Sequence, residues 1–221
     1  MSKKKKIILG ISTGVSAALV LAVLIPFMIL GIRTAAIKNS YAYLKDNPVY
    51  SEKQEVTGVE LVKQEISCGY ATIEMMSSFY GKKVTEKELS DRNKGAITTQ
   101  TSDGFLKELR KTIPGQKFVK HSYLNSDVLL KEIVVALSDN RPVALEWAAK
   151  YEEEWTLHFS LISAIDIKND NITIYNPYGY IESITISEFI GRTTFEAYKN
   201  MPLFLNFGFA FGAFEKNTIF Y

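Results

Sequence analysis

The alternation of hydrophobic and polar positions divides the chain into stretches of different character. From Ile7 to Ile32 no charged residue interrupts an apolar run. That run exceeds the roughly 20 residues a helix needs to cross about 30 Å of hydrocarbon. The pattern predicts one N-terminal transmembrane anchor over 7–32, preceded by a basic tail over 1–6. Residues 33–55, with Asn39, Ser40, Lys45, Asp46, Asn47 and Pro48, carry little core-forming pattern and read as a juxtamembrane stalk. A single folded domain is expected over 56–221.

Inside that domain the period changes half-way. Ala71, Met75 and Phe79 form one stripe, with Ile73, Met76 and Tyr80 beside it, which predicts a helix from Cys68 to about Tyr80, stopped by Gly81. Thr85 and Glu88 have capping-box spacing for a short helix to about Arg92. Further helices are predicted over about 102–111 and 127–138, the latter ended by Asn140 and Pro142. Then Pro142–Ala148, His158–Ile167 and Asn171–Tyr175 read as short strands, the last two joined by the polar turn Lys168 to Asn171. Glu152, Glu153 and Glu154 read as a solvated loop. Near the end Phe207, Phe209 and Phe211 alternate with Gly208, Ala210 and Gly212, a period of two that predicts a strand with one aromatic face. Helices followed by strands give an α+β fold with a helical half and an antiparallel sheet.

Charge narrows the function classes. The formal net charge is +2, and the basic cluster Lys3–Lys6 flanks the apolar run instead of interleaving with aromatic residues, which argues against nucleic-acid binding. Arg33, Lys38 and Lys45 follow the run more sparsely. The positive-inside bias therefore predicts a single-pass protein with a cytoplasmic N-terminus and its domain outside the cytoplasm. Thr34–Ala36 would serve as a signal-peptide cleavage site, but the apolar run is longer than a signal peptide's and favours a retained anchor.

The chain has one cysteine. It can form neither an internal disulfide nor a multi-cysteine zinc site, so no metal or cofactor is expected and Cys68 is either an inert buried thiol or a chemical group. Ser67 is a good N-cap, which would set Cys68 in the first turn of its helix. Unpaired N–H groups, the helix dipole and a neighbouring imidazolium lower a thiol from about 8.5 to roughly 3.5–7.5 in such settings. Of the two histidines, His121 reads as a surface or packing residue, while His158 opens a predicted strand and the next strand leads into Asn176, Pro177, Tyr178 and Gly179. A cysteine on a helix, a histidine at a strand start and an amide after the following strand make the papain-type arrangement, in which the third residue orients the imidazole.

Gln64, Ser67, Cys68, Gly69, Tyr70 and Ala71, with Met75 and the closing Tyr80–Gly81, resemble the cysteine motif of the bacteriocin-processing, double-glycine leader peptidases (cysteine peptidase family 39), of the papain-like superfamily. His158 to Ile165, followed by Asn176, Pro177 and Gly179 and then Ile186, Ser187 and Phe189, resembles the family's histidine strand, its Asp-Pro-x-Gly turn and the short helix after it. The resemblance implies a papain-like domain that hydrolyses a peptide or isopeptide bond of a peptide or protein substrate. Cys68 would be the nucleophile, His158 its proton partner and Asn176 the residue orienting His158, with Gln64 and the Cys68 N–H binding the oxyanion. Asn176 stands where the family usually has Asp, Ser67 replaces a frequent Asp, and Gln64 lies four residues before Cys68, closer than the usual papain-like spacing. Two other readings use the same residues: a peptide-binding module without activity, and an acyl transferase.

One geometric consequence is testable in the fold. A hairpin centred on 168–171 would set Asn176 opposite about Ser163, five residues or about 17 Å from His158. A bulge or an offset turn is therefore expected between them.

Overall fold

The computed structural model describes residues 15–29, 31–32, 41–152, 154–193, 201–212 and 214–221, except the side chain of residue 151. Helix α1 (15–29) falls inside the expected anchor, whose remaining residues 7–14 and 30 lie outside the described residues, as does the basic tail. No helix among the described residues is long and apolar enough to cross a membrane.

The domain is built on one antiparallel sheet. Its strands are β1 (Gln54–Glu55), β2 (Lys120–His121), β3 (Val143–Tyr151), β4 (Glu154–Asp166), β5 (Asn171–Asn176), β6 (Tyr180–Ile184) and β7 (Thr218–Phe220). The order is β2-β7-β3-β4-β5-β6, with β1 on β4. Helices α2 (Cys68–Phe79), α3 (Glu86–Arg92), α4 (Ser102–Thr112) and α5 (Ser126–Ser138) precede the sheet's long central strands, and α6 (Ile186–Thr193) and α7 (Leu203–Ala210) come between β6 and β7. The helical half followed by antiparallel strands is the α+β arrangement that the change of period predicts.

Local chemistry accounts for the helix boundaries. Gly81 takes φ +73° just past α2, a conformation that costs glycine nothing. Both halves of the predicted capping box form at α3: Thr85 accepts from the Glu88 N–H, and the Glu88 carboxylate accepts from the Thr85 N–H at 2.8 Å. The core then closes around Phe105, whose ring stacks on Phe159 of β4 at 4.3 Å and leans on Phe220 of β7 at 4.7 Å. These contacts clamp α4 onto the centre of the sheet.

Four expectations change. The segment 33–55 is not a bare stalk from residue 41 onward: Leu44 is fully buried, and Gln54 and Glu55 pair with Ile165 and Ala164. A two-residue strand and one buried leucine are too short to register as a periodic pattern. Next, β3 and β4 continue past their predicted ends and form a hairpin through Glu152 at φ +52°, so that His158 lies within β4, opposite Trp147, and not at its start. Glu154 belongs to the strand and Glu153 lies outside the described residues. The aromatic alternation at 207–211 forms helix α7 instead of a strand. Helical spacing explains the same residues, since Phe207 stacks on Phe211 one turn away, Leu205 and Phe209 are buried, and Gly208 lets the Phe214 ring approach. The last strand is Thr218–Phe220, and β6 was also unforeseen.

Candidate active site

Ser67 adopts an extended conformation and its side chain accepts from the Tyr70 N–H at 3.1 Å, so α2 begins at Cys68 as the capping pattern requires. The loop before it is held from the side by Glu86. That carboxylate, itself buried at the start of α3, accepts from the backbone N–H groups of Glu65 (2.8 Å), Ile66 (3.0 Å) and Ser67 (2.9 Å). Gly69 follows because nothing larger fits: a Cβ there would lie 2.3 Å from Thr99 Oγ1. The loop also reaches the Asn-Pro-x-Gly turn, where the Gln64 N–H donates to the Pro177 carbonyl at 2.7 Å.

The predicted register offset is present. Near the hairpin end Ala164 pairs with Thr173, but beyond a bulge the pairs become Ile162 with Ile174 and Leu161 with Tyr175. Asn176 thereby comes opposite Ser160, two residues or about 7 Å from His158 instead of five. The remaining gap is bridged diagonally, with His158 Nε2 2.9 Å from Asn176 Oδ1.

The neighbours of Asn176 decide which way its amide points. Oδ1 also accepts from the Tyr178 N–H at 2.9 Å, while Nδ2 donates to Glu182 Oε1 at 2.6 Å. An N–H can only donate and a carboxylate can only accept, so the amide has one satisfactory orientation. The His158 nitrogen facing Oδ1 must then carry its proton, which leaves Nδ1 as the basic nitrogen of the neutral ring. Glu182 is in turn fixed by Arg192, which grips it through both terminal nitrogens at 2.5 and 3.3 Å, donates from Nε to the Ala148 carbonyl and lies 3.6 Å over the Trp147 ring. Tyr178 stacks on the imidazole at 4.0 Å, and His158 and Asn176 are both buried.

Burial overrides the helix-terminus effect expected at the thiol. Desolvation pushes Cys68 up to about 11, outweighing the N–H groups of Phe159, Gly69 and Cys68 itself, which favour the thiolate, while the Glu146 carboxyl adds a further upward push. Burial likewise takes His158 down to about 3, opposed by the Asn176 hydrogen bond and reinforced by the Arg192 charge. In the free protein both groups are therefore neutral near pH 7, not a thiolate–imidazolium pair. The thiol lies beside the Phe159 amide, whose peptide bond joins it to His158. Among the described residues no hydrogen bond links Sγ to the imidazole.

Residues 56–202 match the sequence profile of a family described as "Peptidase_C39 like family". The chain belongs to the Peptidase_C39 like family. It is thereby a cysteine-type peptidase, with an α+β domain. No curated protein matches the sequence. Among solved structures, the chain is similar to a double glycine motif protease from an AMS/PCAT transporter in complex with its leader peptide, at 18% identity and TM-score 0.45, covering 63% of this chain and 91% of that one. It is also similar to the peptidase domain of Streptococcus ComA, a bi-functional ABC transporter involved in a quorum sensing pathway, at 15% identity and TM-score 0.46, covering 74% and 97%.

In this C39-like domain a cavity of about 410 Å³ opens beside Cys68. Leu157 and Phe159 line it, and His158, between them in β4, does not. Glu146 of β3 reaches the same cavity and is a site residue that motif reasoning missed. A signal was there: Glu146 interrupts the apolar run Val143–Ala149 in the middle of a strand pattern. Glu182 and Arg192 left no comparable trace, because a carboxylate and a guanidinium ten residues apart read as ordinary surface charges. Glu86 was hidden in the same way beside a capping box. His121 is a packing residue, stacked on Tyr221 at 5.5 Å.

Proposed function

We propose that this C39-like peptidase hydrolyses a peptide or isopeptide bond through Cys68, His158 and Asn176. The observation that carries the assignment is the fixed orientation of Asn176, which leaves His158 Nδ1 free to take a proton. With both groups neutral in the free protein, attack and deprotonation are coupled: Sγ bonds to the scissile carbonyl carbon as its proton passes to Nδ1. Sγ and the imidazole share no hydrogen bond among the described residues, so this reading requires the two groups to meet in the substrate complex, where catalytic hydrogen bonds commonly tighten. The carbonyl oxygen becomes an oxyanion that the Cys68 N–H and the Gln64 amide bind, donors of a kind whose loss typically costs about 3 kcal/mol of barrier. The proton on His158 then passes to the leaving amine, and water, deprotonated by the same nitrogen, releases the acyl group from Sγ.

The site works at a membrane surface in this reading. Residues 15–25 of α1 are all exposed, and Leu19, Leu21 and Leu24 each expose more than half of their surface. A helix that is apolar on every face requires a non-aqueous surrounding. Together with Lys3–Lys6 this supports a retained anchor over 7–32 and a domain outside the cytoplasm. Protease protection on intact cells tests it: a domain that resists external protease until the cells are opened removes the proposed orientation.

The peptidase assignment is tested by mass spectrometry of the peptides released by the full chain and by Cys68→Ala. Products present only with the intact thiol are expected, and identical profiles would remove the assignment. The raised thiol favours one second reading, a papain-like module that holds a peptide without cleaving it; binding of candidate peptides to the full chain with no Cys68-dependent product would establish that instead. Amine incorporation in place of hydrolysis would mark an acyl transferase on the same residues.

A further inference from the structure

The cavity beside Cys68 has walls of one kind and a single charged group of another. Ile97, Leu157, Phe159 and Phe204 supply apolar surface, and Glu146 supplies a carboxyl. Glu146 lies opposite Phe159 in the β3–β4 register, on the strand pair that carries His158. It is 1% exposed, its Oε2 accepts from Ser102 Oγ, and its Oε1 has no hydrogen-bond partner among the described residues. The two charges that act on it through space, Glu215 and Lys120, are engaged with each other at 2.8 Å, and Lys120 also holds Asp103. A buried carboxyl with one oxygen unsatisfied is costly unless a partner arrives.

We infer that this cavity is a substrate subsite for a lysine side chain, read by Oε1 of Glu146. The inference rests on the peptidase reading. A lysine combines a four-carbon stem, which matches the apolar walls, with a compact ammonium that donates from a single point. A guanidinium binds best through two parallel hydrogen bonds to both carboxylate oxygens, and Ser102 already occupies one of them. Burial holds the Glu146 carboxyl up at about 7, so at neutral pH the empty pocket carries only part of a full charge, and an arriving ammonium favours the ionised form. Thr99 and Thr156 on the lining offer hydroxyls to the remaining ammonium protons.

The experiment uses the full chain in detergent and a set of fluorogenic peptides that differ only in carrying lysine, norleucine, arginine or glutamate at each position around the scissile bond. Norleucine keeps the apolar stem and lacks the ammonium. At one position lysine is expected to exceed norleucine in kcat/KM by about tenfold or more, the scale of a charge-assisted hydrogen bond. Glu146→Gln, which preserves the bond to Ser102, is expected to bring that ratio close to one. Cleavage of the set with no lysine preference at any position overturns the subsite, as does a preference that Glu146→Gln leaves intact. If no peptide is cleaved, the peptidase reading fails, and the subsite is judged by equilibrium binding of the same peptides to Cys68→Ala: tighter binding of lysine than norleucine sustains it, and equal binding overturns it.

Discussion

Replacing Asn176 with the aspartate usual in the family is expected to harm this protein, because its surroundings are built for an amide. Nδ2 of Asn176 donates to Glu182 Oε1 at 2.6 Å, and Asn176 is fully buried. Asn176→Asp exchanges a charge-assisted hydrogen bond, worth roughly 1.5–3 kcal/mol, for two carboxylates in contact. At a separation of about 4 Å and an effective dielectric of about 20, like charges repel by on the order of 4 kcal/mol. Arg192 offsets part of this, since it already neutralises Glu182, and sharing one proton between the two carboxylates offsets more. A loss of about 3 kcal/mol in unfolding free energy is therefore expected, with a fall in kcat/KM of roughly 100-fold as His158 loses its fixed partner. Urea unfolding of the detergent-solubilised chain and hydrolysis of one peptide read the two effects. The double variant Asn176→Asp with Glu182→Gln restores a donor beside the new carboxylate and should recover most of both losses, a coupling of about 2 kcal/mol or more between adjacent sites. An Asn176→Asp protein as stable as wild type and at least as active, with Glu182 intact, would refute this account of the site.

Other outcomes follow from the same geometry. The kcat/KM profile of the free enzyme on an uncharged peptide should rise with a pKa near 3 and stay level to about 11, since His158 accepts a proton only when neutral and the thiol remains protonated until then; loss of activity above about pH 8.5 would instead reveal a thiolate–imidazolium pair, whose imidazolium titrates there. Iodoacetamide should label Cys68 slowly at pH 8, with a rate climbing about tenfold per pH unit above it. Glu86→Ala should cost about 3 kcal/mol in urea unfolding and depress activity, because three backbone N–H groups before Cys68 lose their acceptor. Gly69→Ala should lower stability by about 1–3 kcal/mol through overpacking against Thr99, which would shift Cys68 with it; a neutral outcome by thermal unfolding would show that Thr99 gives way.

Much of this protein was legible in one dimension because the signals concerned are local. A capping side chain acts within three residues, so Ser67 and the Thr85–Glu88 box located the starts of α2 and α3, and with them the position of Cys68. A run of residues with period 3.6 buries one stripe whatever it packs against, so the helices of the first half were foreseeable. The need for a register offset was also derivable, because strand rise is constant and the loop between β4 and β5 is short. Where a pattern admits two periods, sequence could not arbitrate. Aromatic residues at 207, 209 and 211 suit a strand face, and equally a helix in which 207 meets 211, and Pro202 together with the Phe214 ring over Gly208 favoured the helix.

What tertiary structure alone decided is the electrostatic character of the site. Sequence determined that a cysteine would stand at a helix start, with a histidine and an asparagine following in order on adjacent strands. It also determined the helix dipole that favours a thiolate there. Whether that dipole wins depends on the balance at Sγ in the folded chain, where desolvation and the Glu146 carboxyl outweigh the N–H groups of Phe159, Gly69 and Cys68. The orientation of Asn176 was likewise undetermined until Glu182 and Arg192 arrived from β6 and α6, and so was the cavity that Glu146 and Cys68 line together. Charge interactions act through space and fall with distance and solvent, so they belong to the folded chain and leave no periodic trace along it.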